Sequence, residues 1–288
     1  MKTLIIIPAH NEEAFISQTL DSLLSQTLEP DRIIVVDDNS TDATASIVAS
    51  YASHGNVSLL SRKSSPKNIP GSKVVQAFNH GLAQVDWKEF DIICKFDADL
   101  VFPKDYMEQL VTMMSVDRDD DQPYGMVAGH CSILKNGQWI REGQNNPDHI
   151  RGALKAYHIE CFEQIGGLKE SIGWDTVDEM LARFYGWEVV TIPDLYVKHL
   201  KPTGAAYQHE KSMQLQGEAF YKMRYGWRLT LITAAKMAWN KKKFSLIPAY
   251  IKGYQKAKKN DLDPLVTVDQ GQFIRSYRWQ GIRKKIGL

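Results

Sequence analysis

Apolar residues in this chain gather in short unbroken runs, separated by stretches where they recur every three or four positions. Thr3–Ile7, Ile33-Ile34-Val35-Val36 and Ile92-Ile93-Cys94-Lys95-Phe96 are the clearest runs. Their length and branching suit strands buried on both faces of a sheet. Between the first two, Ile16, Leu20, Leu23 and Leu24 fall at i, i+4, i+7 and i+8, the stripe of an amphipathic helix. Asn11 is placed to cap that helix, with Glu12 and Glu13 in its first turn. The pattern goes on to predict a strand over Arg32–Val36 and a helix opened by Ser40-Thr41-Asp42 that reaches about Ala52. A short strand over Val57–Leu60 and a helix over Lys73–Leu82 come next. After the Ile92–Phe96 strand, Pro103 opens a helix to about Val116. Met126–Leu134 and Glu188–Ile192 read as strands, with helices over Glu160–Ile165 and Thr176–Tyr185 between them. Ser64–Ser72, broken by Pro66, Pro70 and Gly71, and the acidic Asp117–Gln122 read as loops.

Strand–helix alternation at this rhythm predicts an α/β fold, a mostly parallel sheet flanked by helices, over residues 1–204. Beyond Pro202-Thr203-Gly204 the pattern turns helical and basic, so residues 205–288 are expected to form a C-terminal helical extension. Charge sharpens that division. The net charge of +1 is the balance of a strongly basic tail, with 17 Lys/Arg against 5 Asp/Glu from Ala205 onward, and an acidic remainder. Cys94, Cys131 and Cys161 are odd in number and form no Cys-x-x-Cys, which suits a reduced, cytoplasmic interior. The apolar run at the N-terminus is too short for a signal peptide, and no stretch reaches the roughly 20 apolar residues of a membrane span. The tail's Leu229–Trp239 segment followed by Lys241-Lys242-Lys243 suits either an anionic membrane surface or packing on the first domain. Nucleic acid is not expected as a partner, because no recognised binding fold accompanies the charge.

Candidate chemistry sits where two of the strands end. Asp37-Asp38 follows Ile33–Val36, and Asp97-Ala98-Asp99 follows Ile92–Phe96. In open α/β sheets, ligands bind at the carboxyl ends of the strands. An Asp-x-Asp there offers hard oxygen ligands to Mg²⁺ or Mn²⁺, a cation that can also hold a diphosphate.

In that setting Pro8-Ala9-His10-Asn11-Glu12-Glu13, Val36-Asp37-Asp38-Asn39-Ser40-Thr41-Asp42 and Asp97-Ala98-Asp99 resemble the motifs of family 2 glycosyltransferases of the GT-A fold. Gly71-x-Lys73 leading to Asn79-His80-Gly81-Leu82 is similar to the helix before that family's metal motif, and Ile165-Gly166-Gly167-Leu168 to its acceptor-side segment. Trp174-Asp175, with Gly186-Trp187 eleven residues after Asp175, looks like its base-bearing helix. The resemblance spans about Met1–Gly204 and implies an inverting, metal-dependent transferase. Its donor would be a nucleotide-diphosphate sugar, UDP-linked by preference, and its acceptor a glycan or lipid-linked molecule, as in cell-envelope polysaccharide assembly. Pro8, Ala9, Glu12, Asp38 and Asp97 would line the nucleotide pocket. Asp99 would bind Mn²⁺ or Mg²⁺, His199 the metal or diphosphate, and Asp175 would be the general base. The family usually carries Glu-Asp or Asp-Asp at the base, where this chain has Trp174-Asp175. Arg275-Ser276-Tyr277-Arg278-Trp279 only half-matches the Gln-x-x-Arg-Trp of its processive branch, so a non-processive enzyme is expected. It would be cytoplasmic, peripheral at the inner face of the membrane.

Several positions keep two readings. Asp178 and Glu179, three and four residues past Asp175, share its helical face and are alternative bases, Asp178 being also a candidate acceptor contact. Trp174 could stack on an acceptor sugar or lie in the core, and Lys73 could meet a phosphate or water. Asp37 and Asp38 could merely cap the next helix. Two other functions compete. A nucleotide-sugar pyrophosphorylase would carry a glycine-rich, basic phosphate loop after the first strand, and Pro8–Glu13 holds neither glycine nor cation. A non-catalytic sugar-binding module would not need both a metal pair and a base.

Overall fold

A computed structural model describes residues 1–64, 71–116, 124–142, 149–201 and 210–287. Its first part is a repeated strand–helix unit. Strands β1 (Thr3–Ala9), β2 (Arg32–Asp38), β3 (Val57–Arg62) and β4 (Ile92–Phe96) lie parallel in the order β3-β2-β1-β4. Helices α1 (Ile16–Leu24), α2 (Thr44–Ser50) and α3 (Ser72–Leu82) connect them. Leu4–Ile7, Ile33–Val36, Ile92–Cys94 and Phe96 are all fully or almost fully buried, as branched runs covered on both faces should be.

Beyond β4 the sheet is completed by later strands. Antiparallel to β4 lies β8 (Leu154–His158), followed across the sheet by β6 (Tyr124–Lys135), β9 (Glu188–His199) and the two-residue β5 (Leu100–Val101). A short β7 (Gln138–Arg141) folds back on β6 as a hairpin. Because β6 and β9 are again parallel, parallel ladders make up most of the sheet. Helices α4 (Tyr106–Met114), α5 (Ile159–Gln164) and α6 (Trp174–Phe184) complete the layers. The fold is thus the expected α/β type, a mostly parallel sheet flanked by helices.

Three strands go beyond the expectation, namely β5, β7 and β8. The most consequential, β8, reads Leu-Lys-Ala-Tyr-His, and its lysine is wholly buried, so the polar residue that hides the strand in the sequence lies inside the protein. Helix α1 begins at Ile16 and not after Asn11. Asn11 adopts a left-handed φ of 54°, and its Oδ1 accepts from Thr41 N–H at 2.8 Å, tying the β1 and β2 loops together instead of capping a helix. Helix α6 begins two residues earlier than expected, which places Asp175 in its first turn. Residues 65–70 and 117–122 of the expected loops, and the boundary expected at 204, lie outside the described residues.

Four helices follow: α7 (Glu210–Lys222), α8 (Gly226–Asn240), α9 (Ile247–Lys259) and α10 (Val268–Ile286). Two of them, α7 and α9, cross at a pair of glycines. A Cβ on Gly217 would stand 1.9 Å from the Tyr250 carbonyl oxygen, and one on Gly253 equally 1.9 Å from that of Gln214. Last in the chain, α10 packs on α6, with Phe273 edge-on to Phe184 at 5.6 Å and the Arg183 guanidinium over the Tyr277 ring at 5.5 Å. The extension is therefore seated on the helix that carries Asp175.

Replacing Gly217 by Val should force α7 and α9 apart and cost about 3 kcal/mol or more, the upper range for overpacking. Urea denaturation measures it; a loss below about 1 kcal/mol would mean the crossing is looser than described.

Candidate active site

Strand register builds the acidic end of the site. β5 pairs antiparallel with the end of β9, Leu100 opposite His199, and Leu200 N–H donates to the Asp99 carbonyl at 2.9 Å. This brings His199 Nε2 to 3.3 Å from Asp99 Oδ2. The other ring nitrogen, Nδ1, lies 2.7 Å from Glu142 Oε2, and Glu142 is in turn 3.1 Å from Arg151. Burial works to lower the His199 pKa, but its hydrogen bonds to Asp99 and Glu142 outweigh this and lift it to about 9. Asp97, Asp99 and His199 can each present one ligand atom, all within 4.8 Å of one another. Cys131, Glu142 and His199 do so as well. Glu12 stands close enough for both aspartates to act on its charge. Burial is the main force raising its pKa, while Lys201, 2.9 Å away, opposes. Its buried Oε2 finds no hydrogen-bond partner among the described residues. Carboxylates, an imidazole and an orphaned carboxylate oxygen fit a hard divalent cation.

At the carboxyl ends of the first two strands, Pro8 and Ala9 end β1 in register with Val36 and Asp37. His10 Nδ1 lies 2.7 Å from the Asp38 carbonyl oxygen, closing the two loop ends on each other. The Asp38 carboxylate pairs with Arg62 at 3.4 Å, and Arg62 donates on to Gln76 of α3 at 3.0 Å. Asp37 Oδ1 accepts from Ser40 N–H at 3.3 Å, so the turn-capping role falls to Asp37 and leaves Asp38 facing Arg62. Lys73 is half-buried in the first turn of α3.

The helix α6 side of the site depends on two buried lysines. Lys95 of β4 and Lys155 of β8 are directly opposite each other and at most 2% exposed. The Trp174 ring lies against both ammoniums, 5.4 Å from Lys95 and 6.0 Å from Lys155. Lys95 is paired with Asp97 and donates to the Gly152 carbonyl at 2.9 Å. The backbone of Gly152 packs on Asp175: a Cβ there would stand 3.3 Å from Asp175 Cβ and 3.4 Å from its Oδ2. Lys155 donates to the Asp175 carbonyl at 2.7 Å, to Asp178 at 3.2 Å and to Glu179 at 2.9 Å.

This geometry separates the three carboxylates of α6. Asp175 is half-exposed, whereas Asp178 and Glu179 are 2% and 3% exposed. Asp178 accepts from Tyr157 Oη at 2.5 Å and from Glu179 N–H at 2.7 Å, and burial pushes its carboxyl up. Burial raises Glu179 too, but Lys155 and His149 carry it down overall. Asp178, expected as a base or an acceptor contact, is a buried partner of Lys155 and Tyr157. Of the two readings of Trp174, its placement is that of the core one: it is 6% exposed and its ring lies against both lysines. Lys95, Lys155 and Glu142 belong to the site without having been singled out. The one signal in the sequence was a lysine set inside an otherwise apolar strand run, as Lys95 is in Ile92–Phe96.

A mixed α/β sheet whose acidic pair leaves β4 beside a half-exposed helix carboxylate defines a GT-A type fold. The model of "Glycosyl transferase family 2" matches residues 4–164, and the chain belongs to that family. A probable glycosyltransferase of Bacillus subtilis (strain 168), YdaM, is 33% identical over 250 residues, which are 78% of this chain and 57% of that protein. The chain thus spans little more than half the length of this curated relative. The crystal structure of S. aureus TarS 1–349 in complex with UDP-GlcNAc superposes with a TM-score of 0.57 at 19% identity, over 83% of this chain and 67% of that one. The mannosyltransferase PcManGT from Pyrobaculum calidifontis, in complex with GDP-Man and Mn²⁺, gives 0.57 at 16% identity, over 98% and 80%. Both likenesses show the fold.

Removing Lys155 takes away the ammonium that Asp178 and Glu179 share and leaves Asp178 buried without a cation in contact, so Lys155→Met should destabilise the fold by about 3–5 kcal/mol. Adding Asp178→Asn and Glu179→Gln should recover much of that loss, as denaturation midpoints will show. The metal-free protein should also lose stability with rising pH. The folded state holds the His199 proton more tightly than the unfolded chain does. This contribution is therefore full below about pH 6.5 and is lost as pH passes about 9. Melting temperatures from pH 6 to 10 should fall less steeply for His199→Gln.

Proposed function

We propose that this protein transfers a sugar, with inversion, from a nucleotide-diphosphate donor to a hydroxyl of a glycan or lipid-linked acceptor. The observation that carries the reading is the Lys95–Gly152 bridge. Lys95 holds Asp97 and the Gly152 carbonyl, and Gly152 packs on Asp175. The acidic pair and the half-exposed carboxylate therefore border one site. Inverting transfer needs just these two features on opposite sides of the reacting carbon. A positioned carboxylate takes the acceptor's proton, worth about 10²–10⁴-fold, and positive charge meets the departing diphosphate.

In this reading Asp175 is the base, because Asp178 and Glu179 are buried and already bonded. Asp99, with Asp97 and His199, would hold Mn²⁺ or Mg²⁺, which when bound supplies charge stabilisation to the diphosphate oxygens. Pro8, Ala9, Glu12 and Asp38 would border the nucleotide, with Lys73 on the first turn of the neighbouring helix. A UDP-sugar is favoured as donor; the neighbours of this fold are seen with UDP-GlcNAc and with GDP-Man and Mn²⁺. Work in cell-envelope polysaccharide assembly, on the cytoplasmic side, suits this chemistry.

The test is incubation with a panel of nucleotide sugars and Mn²⁺, Mg²⁺ or EDTA, with and without membrane-extracted acceptors. Nucleoside diphosphate should be released only with a divalent ion. Pyrophosphate would instead mark a nucleotidyltransferase, and no product a binding module. By calorimetry Asp99→Ala should lose metal-dependent binding of the nucleoside diphosphate. Asp175→Asn should keep that binding while kcat falls about 10²–10⁴-fold. Near-normal turnover by Asp175→Asn would remove it as the base.

A further inference from the structure

One face of the C-terminal helices has no partner among the described residues. On α8 the buried side is formed by Leu229, Thr230, Ala234 and Ala238. The opposite side carries Trp227, Leu231, Ala235 and Trp239 at strict four-residue spacing, a row about 18 Å long. Trp227 is 62% and Trp239 70% exposed, and Leu231 and the adjacent Ile232 are each 40% exposed. Just past the helix, Phe244 is 56% exposed and meets Trp239 edge-on at 5.7 Å. Large rings rarely face water in a group, and a contiguous exposed apolar strip marks an interaction surface.

The surrounding charge says what covers it. From Gly226 to Asn260 the chain has nine Lys/Arg and no Asp or Glu. The Arg228 guanidinium lies 5.5 Å over the Trp227 ring, and Lys241-Lys242-Lys243 sit between Trp239 and Phe244. Lys236, on the same helix, is close enough to Lys285 and Arg278 of α10 for the three cations to repel one another. A second copy of this chain would bring like charges face to face. A partner with an apolar interior, a polar boundary that accepts indole rings and a negative surface satisfies all three features.

We propose that the exposed face of α8, with the Lys241–Phe244 turn, docks on the surface of an anionic phospholipid bilayer. Trp227, Leu231, Ile232, Trp239 and Phe244 enter the headgroup boundary while Lys242, Lys243 and Arg228 meet lipid phosphates, beside Lys241, whose ammonium lies 3.6 Å from Met213 Sδ. No helix among the described residues is long and apolar enough to cross the bilayer; the attachment proposed for α8 is lateral, along its exposed face. Binding is read without turnover, so the proposal stands or falls apart from the transferase reading.

Co-sedimentation tests it, using vesicles of phosphatidylcholine alone and of phosphatidylcholine with phosphatidylglycerol. The full chain should pellet with the anionic vesicles at low salt, and pelleting should fade as salt screens the attraction over about 8–10 Å. Changing Lys241, Lys242 and Lys243 together to Gln should weaken partitioning about a hundredfold. The pair Trp227→Glu and Trp239→Glu should abolish it with an unchanged melting curve, since both rings stand in solvent. Three results would overturn the proposal. These are no pelleting at low salt, pelleting indifferent to the Trp pair, or a concentration-dependent dimer that the Trp pair dissolves, which would make the face an interface between copies.

Discussion

Two lysines fully buried side by side on adjacent strands set the terms for this active site. A buried ammonium is tolerated only with partners that return what water gave it. Here Lys95 and Lys155 are cross-strand neighbours, so each also pays for the other's charge. The protein answers with Asp97 and the Gly152 carbonyl on one side, and with the Asp175 carbonyl, Asp178 and Glu179 on the other. The Trp174 ring turns its electron-rich face to both cations. Satisfying this pair fixes where α6 begins relative to the end of β4. That relation decides how far the half-exposed Asp175 stands from the acidic pair.

The same logic accounts for the departure from the family's usual Glu-Asp or Asp-Asp at the base. An acid at position 174 would be a further buried charge between two lysines already matched by three carboxylates. An indole there covers both ammoniums without adding a charge that must be hydrated or paired. At the opposite edge, His199 between Asp99 and Glu142 plays a comparable part with a group that can give up its proton. Its imidazolium balances two carboxylates, and a neutral imidazole is a common type of metal ligand.

Strands β1, β2 and β4 were legible in the sequence because each is an unbroken branched run, and burial on both faces demands that. The acidic pair and Asp175 were legible because short motifs at strand and helix ends carry them. What escaped was set by long-range pairing. β5 is two residues long and exists because it meets β9, yet it is what carries His199 to Asp99. β8 hides behind a lysine whose partners lie 20 to 24 residues away on another element. Glu142 has no motif of its own; its place comes from the β6–β7 hairpin, where its N–H bonds the Cys131 carbonyl at 2.8 Å. The burial of Trp174 and Asp178 was not legible for one reason: helical spacing gives the face of a side chain but not which neighbours cover it.

The C-terminal helices bear on the same geometry. Gly217 and Gly253 let α7 and α9 approach until backbone meets side-chain-free backbone. Behind them, Arg275 donates to the Arg224 carbonyl at 2.7 Å, joining α10 to the α7–α8 turn. On its other side α10 lies on α6 through Phe273 and Tyr277, one to two turns beyond the Lys155 partners. The basic helices therefore meet the helix that holds Asp175 through packed rings. The C-terminal helices and the lysine cluster thus share one element, α6, whose early turns hold the Lys155 partners and whose last turn holds the α10 contacts.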